Sequence, residues 1–185
     1  AHQPMMSRDN RYVLTYNGEI YNFRELRTEL EAIGYPFRSR SDSEVLLTAW
    51  AAWGVKTLDR LNGMFAFAIW DRIDKTLTLA RDRYGIKPLY ISETPNGLTF
   101  GSEQKAILAH PGASVNIDRE ALLEYFTFQN LFTSRTLLQG ITLMPAGHYA
   151  VLDTRDDNPR LKYNQYWDFN FTNPTGKIDR REYIE

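Results

Sequence analysis

The 185 residues contain no cysteine. Disulfides, thiolate metal sites and a thiol nucleophile are therefore excluded from this stretch of sequence. An excess of charge of either sign is missing too: 22 lysines and arginines stand against 23 acids, for a formal net charge of -1. With no basic surplus to neutralise phosphates, electrostatic nucleic-acid binding is not expected. No apolar run approaches the ~20 residues that cross a bilayer. No charged-then-apolar leader opens the sequence. No membrane partner is expected, and the expected location is cytoplasmic. The three histidines, His2, His110 and His148, stand far apart and outside any spaced metal or triad motif. A structural role is expected of each. Glycine-rich phosphate loops and metal-ligand spacing are missing as well.

What is present is a globular composition, with 43% hydrophobic and 24% charged residues. Aromatics at 14% promise a well-filled core. The length suits about one domain. Both ends read as cut. Asn173-Pro174-Thr175-Gly176 is a turn cluster, and Asp179 to Glu185 reads as the first turns of a helix. The expected organisation is a domain over 1–172 that is missing its N-terminal part. A linker and the start of a further domain would occupy 173–185.

The periodicities predict the elements. Tyr12–Tyr16 reads as a short strand stopped by Asn17-Gly18. Phe23, Leu26, Leu30 and Ile33 fall on one face of a helix that Asn22 caps, with Glu25 placed to close a capping box and Gly34 to end the helix. A second helix over Ser43–Trp53 is nearly apolar all round and should be more buried. Phe65–Trp70 alternates large and small side chains as a strand, and pairs with Thr76–Arg81 across a turn. Pro95-Asn96-Gly97 marks a hairpin between Leu89–Ser92 and Leu98–Phe100. Ser102–His110 and Asp118–Phe128 read as helices, and strands are expected again from Arg135 to Asp153. Mixed order with prominent hairpins indicates an α+β fold.

Three segments carry candidate chemistry. Asn17-Gly18-Glu19 offers a glycine that admits close approach to the main chain, a Gly N–H with an Asn amide as paired donors to an oxyanion, and a carboxylate for a cation. The competing reading is a plain Asn-Gly turn; the helix that follows, in place of a return strand, argues for a strand-to-helix loop instead. Asp42, within Ser41-Asp42-Ser43-Glu44, taken alone, is a first-turn acid or cap. Arg81-Asp82-Arg83, ahead of Gly85 and Pro88, reads as a connector or as a buried charged network, with no reaction implied.

Taken together, these segments resemble the class II glutamine amidotransferase domain of asparagine synthetases, of the N-terminal-nucleophile hydrolase type. The matching motifs run in order through most of the chain: 3–5, 16–22, 39–44, 61–71, 80–90, 102–106 and 144–148. The resemblance implies an αββα four-layer sandwich, here N-terminally incomplete. It implies hydrolysis of L-glutamine to glutamate and ammonia, for ATP-dependent amidation of aspartate by a synthetase domain of the same polypeptide. On this resemblance Asn17 and Gly18 are catalytic, forming the oxyanion hole, and Glu19 and Asp42 complete the substrate-binding set, with Asp42 on the α-ammonium. No cofactor or metal belongs to this domain, while ATP and Mg belong to the synthetase part. The sequence departs from the family by lacking the leading Cys-Gly-Ile and the arginine that binds the substrate carboxylate. The 185 residues alone are therefore expected to be inactive. A non-catalytic amino-acid-binding relative, or an amidotransferase with another acceptor, remains an alternative. Missing strands would leave open edges and apolar surface, so a homodimer is also an expected state.

Overall fold

The computed structural model describes residues 2–94, 97–113 and 115–171. The expected linker and second-domain start over 173–185, and the Pro95-Asn96 part of the expected turn, lie outside the described residues. A six-stranded antiparallel sheet is ordered β1 (Met5–Met6), β2 (Tyr12–Ile20), β3 (Gly63–Asp71), β4 (Thr76–Arg81), β8 (His148–Asp153) and β9 (Lys162–Gln165). A three-stranded sheet is ordered β6 (Gly97–Gly101), β5 (Tyr90–Thr94) and β7 (Thr142–Leu143).

Alternation along β3 decides how the layers stack. Successive side chains of a strand point to opposite faces. Phe65, Phe67 and Ile69 enter one core with Leu14, Tyr16 and Ile20 of β2. That core is closed by α1 (Phe23–Ala32) and α2 (Asp42–Trp53). Ala66 and Ala68 enter a second core with Leu79, Leu89, Ile91, Ala150 and Phe100. The small alanines let the second sheet approach closely. The short α4 (Gln104–Leu108) packs on β5 and β6, which completes an α+β sandwich in the order helices, sheet, sheet, helix. Two other helices are α3 (Thr57–Arg60) and α5 (Arg119–Phe128). Each fully buried Phe or Leu contributes ~1.5–3 kcal/mol, so the β2–β3–helix core is the main source of stability.

Four local expectations are corrected. The strand expected to stop at Tyr16 continues as β2 to Ile20, with Asn17 paired to Ala66 and Gly18 to Phe65. Long-range pairing overrides the Asn-Gly turn signal. Asn22 precedes α1 but makes no side-chain cap and closes no capping box. Its amide instead donates to Arg60 O at 2.9 Å and its carbonyl accepts from Asn62 N–H at 2.9 Å, tying α1 to the start of β3. Ile33, expected on the buried face, is exposed, because the chain leaves the helix at Gly34 (φ +94°). Between Arg135 and Asp153 only β7 and β8 are strands, joined by loop.

The Arg81-Asp82 segment is the buried charged network. Asp82 is 0% exposed. Its carboxylate accepts N–H groups of Phe65 (3.1 Å), Lys87 (2.9 Å), Tyr84 (3.1 Å) and Ile86 (3.0 Å). The Arg81 guanidinium donates to the carbonyls of Lys87, Met144 and Gly85. Buried charges persist only when their hydrogen-bonding capacity is filled. Here backbone fills it on both sides, and the loop 82–88 is held against β3.

Candidate functional site

The direction of each backbone group along β2 follows from its neighbours. Tyr16 is bonded on both sides by the Gln3 carboxamide: Gln3 Nε2 donates to Tyr16 O (2.7 Å) and Tyr16 N–H donates to Gln3 Oε1 (2.6 Å). Ile20 N–H, four residues on, donates to Asp42 Oδ2 at 3.2 Å. In an antiparallel strand, residues of the same parity direct their N–H and C=O groups to the same edge. Gly18 lies between these two and therefore directs its N–H to that edge, away from β3. Phe65 confirms the parity, because its own N–H and C=O bond to Asp82. Gly18 and Phe65 form the narrow, non-hydrogen-bonded kind of pair. A Cβ at Gly18 would stand 2.3 Å from Met64 O and 2.7 Å from Phe65 Cα, so only glycine fits.

Side chains of the other parity face the second sheet. The Asn17 amide donates through Nδ2 to Ser102 Oγ at 2.9 Å, directly after β6. One amide proton is held there, and the second has no partner among the described residues. A cavity of about 310 Å³ opens at this point, lined by Gln3, Thr15, Asn17, Ala66, Phe100 and Ser102 among others. Glu19 shares Asn17's parity at the strand end, is exposed, and forms no ion pair among the described residues.

Asp42 opens α2. Ser41 is the N-cap, accepting from Glu44 N–H at 3.3 Å, which leaves the Asp42 carboxylate free to reach sideways. Its Oδ2 accepts the Tyr16 hydroxyl (2.8 Å) as well as Ile20 N–H, and Oδ1 has only a long 3.4 Å contact from Ser43 Oγ. Burial, then the bond to Asp42, pushes the Tyr16 hydroxyl above its ordinary pKa of 10.0. Tyr16 therefore stays protonated and donates.

The four sequence-predicted residues thus converge on one strand end, from different sides. Asp42 is bonded to the two residues that flank Asn17-Gly18-Glu19. The Gly18 N–H shares the edge of Asp42, whereas the Asn17 side chain points into the cavity between the sheets. Glu19 and Asp42 do not line that cavity. A larger cavity, about 420 Å³, lies behind Glu44 with Met5, Arg38 and Leu47 in its wall, and holds none of the four. Sequence reasoning did not single out Gln3, Tyr16 or Ser102 as site supports. Gln3 and Ser102 stand in matching motifs, but a contact over 85 residues, such as Asn17 to Ser102, leaves no local signal. No group of three or more metal-ligating side chains occurs among the described residues. No helix among them is long and apolar enough to cross a membrane.

Known proteins resemble this chain in sequence and in fold. A family model described as a glutamine amidotransferase domain matches residues 1–167. The chain is 39% identical over 183 residues to asparagine synthetase (glutamine-hydrolyzing) 3 of Bacillus subtilis, covering 96% of the chain and 29% of that protein. It is 40% identical over 158 residues to a putative asparagine synthetase (glutamine-hydrolyzing) of Mycobacterium tuberculosis, covering 81% and 24%. Among solved structures, a glutamine phosphoribosylpyrophosphate amidotransferase from B. subtilis superposes with a TM-score of 0.60 at 21% identity, covering 89% of this chain and 32% of that one. A glutamine aminotransferase class-II domain protein from Silicibacter pomeroyi gives 0.54 at 15% identity, covering 89% and 70%. At these identities the structures speak to the fold alone. The chain spans about 29% of the length of the first Bacillus relative.

Proposed function

The chain belongs to the glutamine amidotransferase domain family, and from that footing we propose that it is the glutamine-hydrolysing part of a glutamine-dependent asparagine synthetase. L-glutamine is cleaved to glutamate and ammonia. The ammonia is used in ATP- and Mg-dependent amidation of aspartate by another part of the polypeptide, in the cytoplasm. The observation that carries the reading is the Gly18 N–H turned to the edge of β2 away from β3, between Gln3-bound Tyr16 and Asp42-bound Ile20, beside an Asn17 amide held by Ser102.

Those two donors suit a tetrahedral oxyanion. A thiolate adds to the side-chain amide carbon and the carbonyl electrons move to oxygen. Asn17 Nδ2 and Gly18 N–H take up that charge. The proton that left the thiol returns to the amide nitrogen, so that collapse expels ammonia and leaves a thioester. Water then adds, and the thiol departs from glutamate. Each donor in such a hole lowers the barrier by roughly 3 kcal/mol. The thiol comes from polypeptide outside these 185 residues, which hold no cysteine; expressed alone they release no glutamate. Asp42 Oδ1 and Glu19 pair the substrate ammonium, whose charge has to be matched as it leaves water.

The test is the full-length gene product, supplied with glutamine, aspartate and ATP-Mg. Equal release of glutamate and asparagine is expected. If glutamine yields no glutamate, the reading fails; glutamate without asparagine would move the acceptor to another compound.

A further inference from the structure

Strand β1 stops short of the site, and a side chain takes over from its backbone. β1 pairs with β2 at Met5–Leu14 and Met6–Val13. Continued along the chain, that register sets Gln3 opposite Tyr16. Leu14 and Tyr16 share a parity, so the next backbone pair of hydrogen bonds would join Gln3 and Tyr16. The Gln3 carboxamide makes both bonds instead: Nε2 donates to Tyr16 O (2.7 Å) and Oε1 accepts from Tyr16 N–H (2.6 Å). A primary amide offers the same donor and acceptor as a peptide unit, so one side chain can stand in for a strand.

Holding Tyr16 has two consequences. On its other side, β3 bonds the backbone of odd-numbered residues of β2, since Gly18 and Phe65 form a non-hydrogen-bonded pair. On the edge that carries the Gly18 N–H, only Gln3 and Asp42 hold the span from Tyr16 to Ile20 among the described residues. Gly18 thus lies between two fixed points, one of which is Gln3. The Tyr16 hydroxyl also donates to Asp42 Oδ2 (2.8 Å), the same oxygen that accepts Ile20 N–H. We propose that Gln3 is a positioning residue for glutamine cleavage: its carboxamide replaces a strand partner and sets the Gly18 N–H and, through Tyr16, Asp42. This deepens the function proposed above and rests on it.

Gln3→Glu in the full-length protein tests this, with Gln3→Leu beside it. A protonated glutamic acid keeps a donor and an acceptor, whereas its carboxylate has acceptors only and sets an oxygen against Tyr16 O. That contact disfavours the charged form and raises the carboxyl above its ordinary ~4.3, to about 5–7. Of the other side chains lining the cavity beside Gln3, only Tyr16 titrates, and it stays protonated. The neighbouring His2 is common to all three proteins, and Gln3→Leu reports its contribution. Wild type at each pH removes the titration of the nucleophile. We expect kcat of Gln3→Glu to lie at least tenfold below wild type at pH 8 and to approach it at pH 5, while Gln3→Leu stays low throughout. Amide exchange is read on the same proteins. Protection of the Tyr16 and Ile20 N–H groups should fall at least tenfold at pH 8 in Gln3→Glu and return at pH 5. A kcat ratio that ignores pH, wild-type rates at pH 8, or unchanged exchange overturns the proposal. If wild type releases no glutamate, the glutaminase reading fails by itself. Protection that tracks pH then keeps Gln3 as the holder of the strand, and protection that does not removes it.

Discussion

Asp82 and Asp42 both accept backbone N–H groups, and the contrast between their surroundings separates framework from site. Asp82 directly follows β4, against the start of β3, fully buried, with both oxygens bonded by two N–H groups each. Nothing is left for a ligand. Asp42 is half-buried at the first turn of α2 and spends one oxygen on Tyr16 and Ile20, keeping the other almost unused. A saturated carboxylate holds a loop. One with spare lone pairs, at the strand edge to which Gly18 turns its N–H, is equipped to hold a substrate. Neighbouring sequence does not distinguish them, since each is an acid among polar residues.

The sharpest way to break the contrast is Asp82→Ala. It orphans four N–H groups, and we expect a loss of about 3–5 kcal/mol in folding stability, read as the shift of the denaturant midpoint. A cost under about 1 kcal/mol would mean water replaces the carboxylate, and the contrast would go. Asn17→Ala comes next, and acts on the other side. In the full-length enzyme kcat for glutamate release should fall about 10²–10³-fold, or roughly 3 kcal/mol of transition-state stabilisation, with KM and melting temperature little changed. A matching loss of stability would make Asn17 framework too. Tyr16→Phe removes one donor to Asp42 and is expected to cost about 1 kcal/mol, raising KM for glutamine more than it lowers kcat. An unchanged KM would detach Asp42 from substrate binding.

The smallest effect is on pH dependence at a third carboxylate. Burial pushes the Asp71 carboxyl up, but Arg11 (2.9 and 2.7 Å) and the N–H groups of Asp74 and Ile73 outweigh it and hold its pKa below the ordinary 3.8. The folded state therefore favours the charged form. The associated stability is complete above pH 3.8 and fades as pH falls below it. Arg11→Met should lower stability slightly at pH 7 and leave it nearly unchanged near pH 2, which flattens the acid side of the stability–pH curve, as unfolding between pH 2 and 7 will show. A parallel downward shift at every pH would mean the pair contributes packing alone.

Much of the framework is legible before any coordinates. The Phe65–Trp70 alternation announces a strand with one bulky and one small face, and the structure uses both, the first toward helices and the second toward the other sheet. The apolar run of α2 announces its burial. The residues 17–19 were misplaced on a loop because turn propensity is a local quantity, whereas β2 is held through Ile20 by nine pairings to a strand some fifty residues away. Asn22 is the same case: its capping chemistry is real, but Arg60 and Asn62 claim the side chain first.

Residue types and their periodicity therefore settled the centres of the main strands and helices, the two faces of β3, and which residues bear donors and carboxylates. They could not settle that Gly18 turns its N–H away from β3, or that Ser102 steadies Asn17. Those depend on register and on contacts between residues tens of positions apart. Such contacts act through distance in space, and they exist only once the sheets have closed on each other.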